Sequence, residues 1–175
     1  MRTIVLNLAV SMDGFIAREN GSVDWLDDLD TDGNDLGFQD FLSGCDTILM
    51  GRVSYEETLK LGKGDWPFKN YKTYVFTSKQ RKNEKGIFFV NDNPINLIKE
   101  LGNGEGKNIW LFGGGRFIKT MREHNLVDQY IITIIPVLLG KGIRLFQDVD
   151  MENKLLLLTS EKYKDIVQSH YKVIR

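Results

Sequence analysis

The stretch Ile109-Trp110-Leu111-Phe112-Gly113-Gly114-Gly115-Arg116 decides the reading of this chain. An apolar run of strand length enters three consecutive glycines, and Gly115–His124 beyond them carries the apolar spacing of an amphipathic helix. Glycines at such a strand-to-helix turn let backbone N–H groups approach a pyrophosphate closely, and the helix N-terminus adds a partial positive charge. The Gly-Lys-Ser/Thr of a Walker loop is missing, as is a full GxGxxG. A tight turn without any ligand would use the same glycines, so support has to come from elsewhere in the chain.

Two further junctions repeat the pattern. Ile48-Leu49-Met50-Gly51-Arg52 is a buried strand, a glycine and an arginine at a helix start. Arginine is usually a solvated surface charge, but a cation at a helix N-terminus opposes the helix dipole and calls for an anion. In Val75-Phe76-Thr77-Ser78-Lys79 a strand ends in two hydroxyls and an ammonium, a clamp suited to a 2′-phosphate. Ser78 would serve equally as an ordinary cap or turn residue. Three such junctions in one chain carry more weight than any one, because open sheets gather ligands where strands end and helices begin.

Working outward, short apolar runs alternate with helix-like stretches throughout, the signature of an α/β domain. Strands are expected at Thr3–Val10, Thr47–Met50, Lys72–Thr77, Gly86–Val90, Asn108–Phe112 and Gln129–Ile135, several apolar on both faces as in a helix-covered sheet. Helices are expected at Leu36–Leu42, Val53–Leu61, Pro94–Leu101 and Gly115–His124. Lys154–Ser160 and Ile166–Ile174 read as an antiparallel hairpin turning at Glu161–Asp165, and Pro136–Phe146 as a loop leading into an edge strand. The expectation is one domain, residues 1–175, with a mostly parallel central sheet, helices on both faces and a C-terminal antiparallel hairpin.

The 175 residues are enough for one hydrophobic core, and a formal net charge of -1 supplies no electrostatic footprint for nucleic acid or an anionic membrane. Cys45 is the sole cysteine and His124 and His170 the only histidines, so no disulfide and no thiolate or histidine metal site is expected. The N-terminal apolar run has the wrong flanks for a signal peptide, and no stretch approaches a membrane span, which makes a cytoplasmic protein the expectation.

On these motifs the chain resembles the dihydrofolate reductase family, especially the branch of the riboflavin biosynthesis reductase (RibD C-terminal) domain. The similarity runs in order through Leu6–Ile16 (LNLAVSMDGFI), Trp25, Met50–Glu56 (MGRVSYE), Phe76–Lys79 (FTSK), Leu111–Arg116 (LFGGGR) and Pro136–Phe146 (PVLLGKGIRLF). The resemblance implies NADPH as cofactor. It gives Ala9 and Ile16 to the nicotinamide amide, and Gly51, Arg52, Val53 and Ser54 to the adenosine-side phosphates. Thr77, Ser78 and Lys79 fall to the adenine and 2′-phosphate, and Gly113, Gly114, Gly115, Arg116 and Phe117 to the pyrophosphate.

On the substrate side, Ser11-Met12-Asp13-Gly14 resembles the riboflavin branch, but Phe15 replaces its lysine and Phe112 stands where it has a glutamate. Dihydrofolate reductases carry a carboxylate on the helix before Met-Gly-Arg, a position to which Asp35 corresponds, with Thr133 as its supporting threonine. Asp13 or Asp35 is therefore the candidate catalytic carboxylate, although Asp-Gly is a common turn pair and a helix-start acid is favoured by the dipole. Trp25 and Thr133 are the candidate substrate contacts, with the loop Asn20–Asp32 as a cover. The expected activity is hydride transfer from NADPH to an imine or carbonyl of a small heterocycle. The competing reading is a non-catalytic NADPH-binding sensor or partner-binding module. Leu155–Leu158 and the Pro136–Phe146 stretch add the expectation of a homodimer, since apolar sheet edges tend to pair.

Overall fold

The computed structural model describes residues 1–27, 29–91 and 93–175. In chain order the elements are β1 (Ile4–Ser11), β2 (Phe15–Ala17), a 3₁₀ turn (Asp24–Leu26), α1 (Phe38–Ser43), β3 (Cys45–Gly51) and α2 (Arg52–Leu61). There follow β4 (Lys72–Phe76), β5 (Ile87–Val90), α3 (Pro94–Asn103), β6 (Asn108–Gly113), α4 (Gly115–Glu123), β7 (Gln129–Ile135), β8 (Ile143–Arg144), β9 (Lys154–Tyr163) and β10 (Ile166–Ile174).

The apolar runs assemble into one eight-stranded sheet in the order β5-β4-β3-β6-β1-β7-β10-β9. The first six are parallel through β7, and β10 and β9 complete the sheet antiparallel. This is the mixed sheet with a C-terminal hairpin that the sequence pattern implies. Side chains alternate across it. Ile4, Leu6, Leu49, Ile109 and Leu111 face α3 and α4, where Ile98, Ile118 and Met121 close the larger core. Ile48, Met50, Val75 and Trp110 face α1 and α2, packing with Leu42, Tyr55 and Trp66. Leu6, Ile48, Leu49 and Leu111 are wholly excluded from water, and truncating one to alanine would cost about 2–5 kcal/mol.

Three expectations are corrected. Ile143–Arg144 does not extend the edge of the main sheet; it pairs with Phe15–Ala17 in a separate two-stranded sheet beside the cleft described below. The helix expected at Leu36 begins at Phe38, because Leu36 and Gly37 both have positive φ (53° and 73°) and cannot continue a right-handed turn. The hairpin turn is tighter than its pattern implied, with β9 reaching Tyr163 and β10 starting at Ile166.

β9 forms the sheet edge, and Leu155, Leu156, Leu157 and Leu158 are 42–52% exposed. Consecutive strand residues point to opposite faces, so helices of this chain cover neither face there. Among the described residues, no helix is long and apolar enough to cross a membrane.

Candidate functional site

A cleft of about 1650 Å³ opens along the carboxyl ends of the parallel strands. All three junctions reach it, although β4 leads through a loop to β5 and not into a helix: Gly51, Arg52, Val53 and Ser54; Thr77 and Ser78; and Gly113, Gly114, Gly115, Arg116 and Phe117 line its walls. Lys79 does not, and is exposed beyond the junction.

The helices differ in how they begin. At α3 the Asn93 carboxamide accepts the Ile95 N–H at 3.0 Å, and ahead of α1 the Asp35 carboxylate accepts Gly37 N–H at 3.0 Å and Gln39 N–H at 2.8 Å. At α2 and α4 the residues in the capping position are Gly51 and Gly114, and no side chain bonds to either helix start. First-turn N–H groups need a partner from outside the helix. The two helices that supply none of their own both start on the cleft; α1 starts there as well, with Asp35 as its cap.

The glycines also set how closely the two starts pack. Gly113 has φ +136°, a backbone conformation that L side chains rarely adopt, and a β-carbon on Gly114 would lie 2.8 Å from Ser54 Oγ. The turns of β3–α2 and β6–α4 thus pack closely against each other. Phe117 stacks on Phe76 with centroids 4.6 Å apart, tying α4 to the end of β4.

Arg52 stands at the first position of α2 and pairs with Glu56 one turn on, at 2.5 Å; Arg81 pairs with the other Glu56 oxygen, also at 2.5 Å. Two guanidinium groups therefore share one carboxylate beside the third junction. Arg116 has no ion-pair partner among the described residues. With uncapped N-termini, bare glycine backbone and guanidinium groups, this donor set fits the diphosphate and phosphate groups of a dinucleotide.

At its other end the cleft floor is the sheet itself. Ala9 lies opposite Thr133 on β7, and Thr133 opposite Gln168 on β10, so all three share one face with Asn7, two residues before Ala9. Gln168 Nε2 donates to Thr133 Oγ1 at 2.9 Å, and the Trp110 indole N–H donates to the Asn7 carbonyl at 3.1 Å. Trp110 meets Phe38, Phe68 and Phe112 with centroids 5.3, 5.2 and 4.8 Å away, and all four rings line the cleft. Ile16 lies along the wall nearer β2.

Besides Lys79, three candidates are placed differently from the sequence reading. Asp13 is outside the cleft lining: its carboxylate accepts Ser11 Oγ–H at 2.6 Å, Leu139 N–H at 3.1 Å and Gly140 N–H at 2.7 Å, tying the β1–β2 turn to the segment after β7. The Ser11 hydroxyl and then the two backbone amides, acting against some desolvation, hold this carboxyl below its ordinary value, so it is a fixed anion rather than a proton donor. Asp35 does line the cleft, but it is exposed, with both oxygens engaged by backbone amides. Trp25 is buried against Ile135 and Ile166 and does not line the cleft; it anchors the covering loop from beneath.

That loop is held from the hairpin side, where Lys164 Nζ pairs with Asp30 at 2.6 Å and Asp32 at 2.7 Å and Tyr163 Oη donates to the Thr31 carbonyl at 3.0 Å. Asp28, within the Asn20–Asp32 cover, lies outside the described residues. Burial pushes the Cys45 thiol up to about 11, which keeps it protonated and unreactive.

Sequence reasoning missed Asn7, Gln168, Phe38, Trp110 and Phe112 as lining residues. The alternation of β1 could have placed Asn7 beside Ala9. Gln168 is reached only through the β7–β10 register, which no local pattern carries.

Residues 2–169 match the RibD C-terminal domain family. Two relatives from Bacillus subtilis (strain 168) are each 38% identical. The uncharacterized protein YwjB aligns over 171 residues, 97% of this chain and 97% of its own length. The uncharacterized protein YyaP aligns over 181 residues, 97% of this chain and 94% of its own. Among solved structures, a putative riboflavin biosynthesis protein from Shewanella sp. PV-4 superposes with a TM-score of 0.87 at 28% identity, covering 99% of both chains.

The diaminohydroxyphosphoribosylaminopyrimidine deaminase/5-amino-6-(5-phosphoribosylamino)uracil reductase of Thermotoga maritima gives 0.70 at 16% identity, covering 99% of this chain and 57% of that one. Dihydrofolate reductase from Enterococcus faecalis, complexed with NADP(H), gives 0.68 at 17% identity over 98% of this chain and 96% of that one. The last two likenesses establish the dihydrofolate reductase-like fold, and the family match covers nearly the whole chain. The chain belongs to the RibD C-terminal domain family.

Proposed function

We propose that this protein is an NADPH-dependent reductase acting on an imine or carbonyl of a small heterocyclic substrate. One observation carries the reading: α2 and α4, the two helices whose first turns no side chain caps, both start on the cleft. Bound NADPH supplies a hydride, and the protein's part is binding, orientation and exclusion of water. The backbone turns at Gly51–Ser54 and Gly113–Phe117 hold the diphosphate, while Arg52, with Ser78 close by, meets the 2′-phosphate. Ala9 and Ile16 border the nicotinamide. Thr133 accepts the Gln168 N–H, so its hydroxyl proton is free to reach a substrate heteroatom or a water and guide a proton to it.

Calorimetric titration with NADPH, followed by NADPH oxidation in the presence of small carbonyl and imine acceptors, tests the proposal. Binding with turnover supports it, and absence of NADPH binding refutes it.

The second reading, a non-catalytic NADPH-binding module, draws on one feature. Neither candidate carboxylate is buried at the cleft floor, since Asp13 is turned into a loop and Asp35 is exposed at a helix start. Tight NADPH binding with no turnover on any acceptor would favour it. The exposed leucines of β9 support a homodimer formed at that edge, and the activity fits a cytoplasmic protein working on a diffusible substrate.

A further inference from the structure

Gly114 and Gly115 leave room for more than bare backbone. A β-carbon on Gly114 would lie 2.8 Å from Ser54 Oγ, and one on Gly115 would lie 2.6 Å from Gln147 Nε2 and 2.9 Å from Ile143 Cγ2. Two polar side chains from segments far apart in the chain therefore take the space that these glycines give up. Both line the cleft. Ser54 belongs to the β3–α2 junction, but Gln147 comes from the segment after β8 and from none of the three junctions.

That segment is held from three directions. β8 pairs with β2, which sets Arg144 opposite Phe15 and Ile143 opposite Ala17. Leu145 is buried in the larger core and donates its N–H to the Gly14 carbonyl at 3.0 Å. Arg122, on α4 itself, lies over the Phe146 ring at 5.1 Å and donates from Nη1 to the Gln147 carbonyl at 3.0 Å. The Gln147 backbone is thus tied to α4, while its carboxamide has no hydrogen-bond partner among the described residues. No side chain bonds to the α4 start either. The carboxamide nitrogen and the first-turn N–H groups are all donors, and the partner that suits them together is an anionic oxygen.

We infer that Gln147 is a further diphosphate-binding residue, donating its carboxamide N–H to a cofactor phosphate oxygen beside the start of α4. The inference rests on the cofactor reading above and adds to it a contact from outside the glycine junctions. It also gives Gly115 a second role, since a side chain there would displace the carboxamide. The diphosphate is common to NADPH and NADH, so Gln147 acts on both cofactors alike, whereas Arg52 separates them.

The test titrates the whole protein with NADP⁺ and NAD⁺ by calorimetry, and with adenosine 2′-monophosphate by NMR. The last probe keeps the adenine and 2′-phosphate but lacks the diphosphate. Gln147→Glu keeps the side-chain shape and puts an acceptor where the donor was; it should weaken NADP⁺ and NAD⁺ by the same factor, about tenfold or more. Gln147→Ala should weaken both by about three- to tenfold. Adenosine 2′-monophosphate should bind both variants within about twofold of wild type, as expected for a residue it does not touch. Dinucleotide binding unchanged in either variant overturns the inference, as does a loss confined to NADP⁺, which would put Gln147 at the 2′-phosphate. An equal loss for adenosine 2′-monophosphate also overturns it, because a general disturbance of the cleft would spare no ligand. Failure of the wild type to bind NADP⁺ is read first, and sinks the cofactor reading instead.

Discussion

Replacing Arg52 with alanine is predicted to weaken NADPH binding about 5- to 60-fold and to leave NADH binding within about twofold. The guanidinium stands at the first residue of α2, where it opposes the helix dipole and where the first turn carries no acidic residue. A charge-assisted hydrogen bond to phosphate is worth roughly 1.5–3 kcal/mol. Against this stands the existing pair with Glu56, an i,i+4 contact with side chains 33% and 28% exposed, which such geometry values at roughly 0.3–0.5 kcal/mol. The net loss is about 1–2.5 kcal/mol, which the tenfold-per-1.4 kcal/mol rule converts to the stated range.

The Glu56 pairing adds a second arm. Because one carboxylate engages both Arg52 and Arg81, Glu56→Gln should release both guanidinium groups and tighten NADPH several-fold, again sparing NADH. Titrating both cofactors into wild type and the two variants measures this directly. An equal loss for NADPH and NADH on Arg52→Ala, or no loss for either, would refute the assignment of Arg52 to the 2′-phosphate.

Gly114→Val places a branched side chain where a β-carbon alone would sit 2.8 Å from Ser54 Oγ; nucleotide binding should fall roughly a hundredfold or more with a near-native circular dichroism spectrum. Asp13→Ala should lower the melting temperature without changing NADPH affinity. The depressed carboxyl contributes stability that is present above its unfolded pKa and lost as pH falls through the folded one, so the gap in melting temperature between wild type and variant should close below the ordinary value of 3.8. Sedimentation equilibrium should give twice the 20.1 kDa chain mass, and Leu156→Glu should return the monomer by charging the β9 edge.

The strands that form the sheet were legible because they are apolar on both faces, and Thr47–Met50, Asn108–Phe112 and Gln129–Ile135 lie within the observed elements to a residue or two. The glycine junctions were legible for the same local reason: a buried strand that ends in glycine announces a turn where backbone is exposed. The aromatic end was not. Thr133 and Gln168 meet only because β10 returns antiparallel to β7, and Asp13 reaches Leu139 and Gly140 across 126 and 127 residues of chain. Local pattern ranks an aspartate before a glycine as a turn residue or a catalytic group, and only the distant amides that fill its oxygens decide between them. β8 was assigned to the wrong sheet because its partner, Phe15–Ala17, is too short to show as a strand.

The central claim is that the uncapped starts of α2 and α4 form an anion cradle for NADPH. A crystal structure of the NADP⁺ complex tests it most directly. The diphosphate should lie within hydrogen-bonding distance of backbone N–H groups at Arg52–Ser54 and Gly115–Phe117, with the nicotinamide against Ala9 and Ile16. A cofactor bound anywhere else, or phosphates held only by side chains while those amides face water, would contradict it.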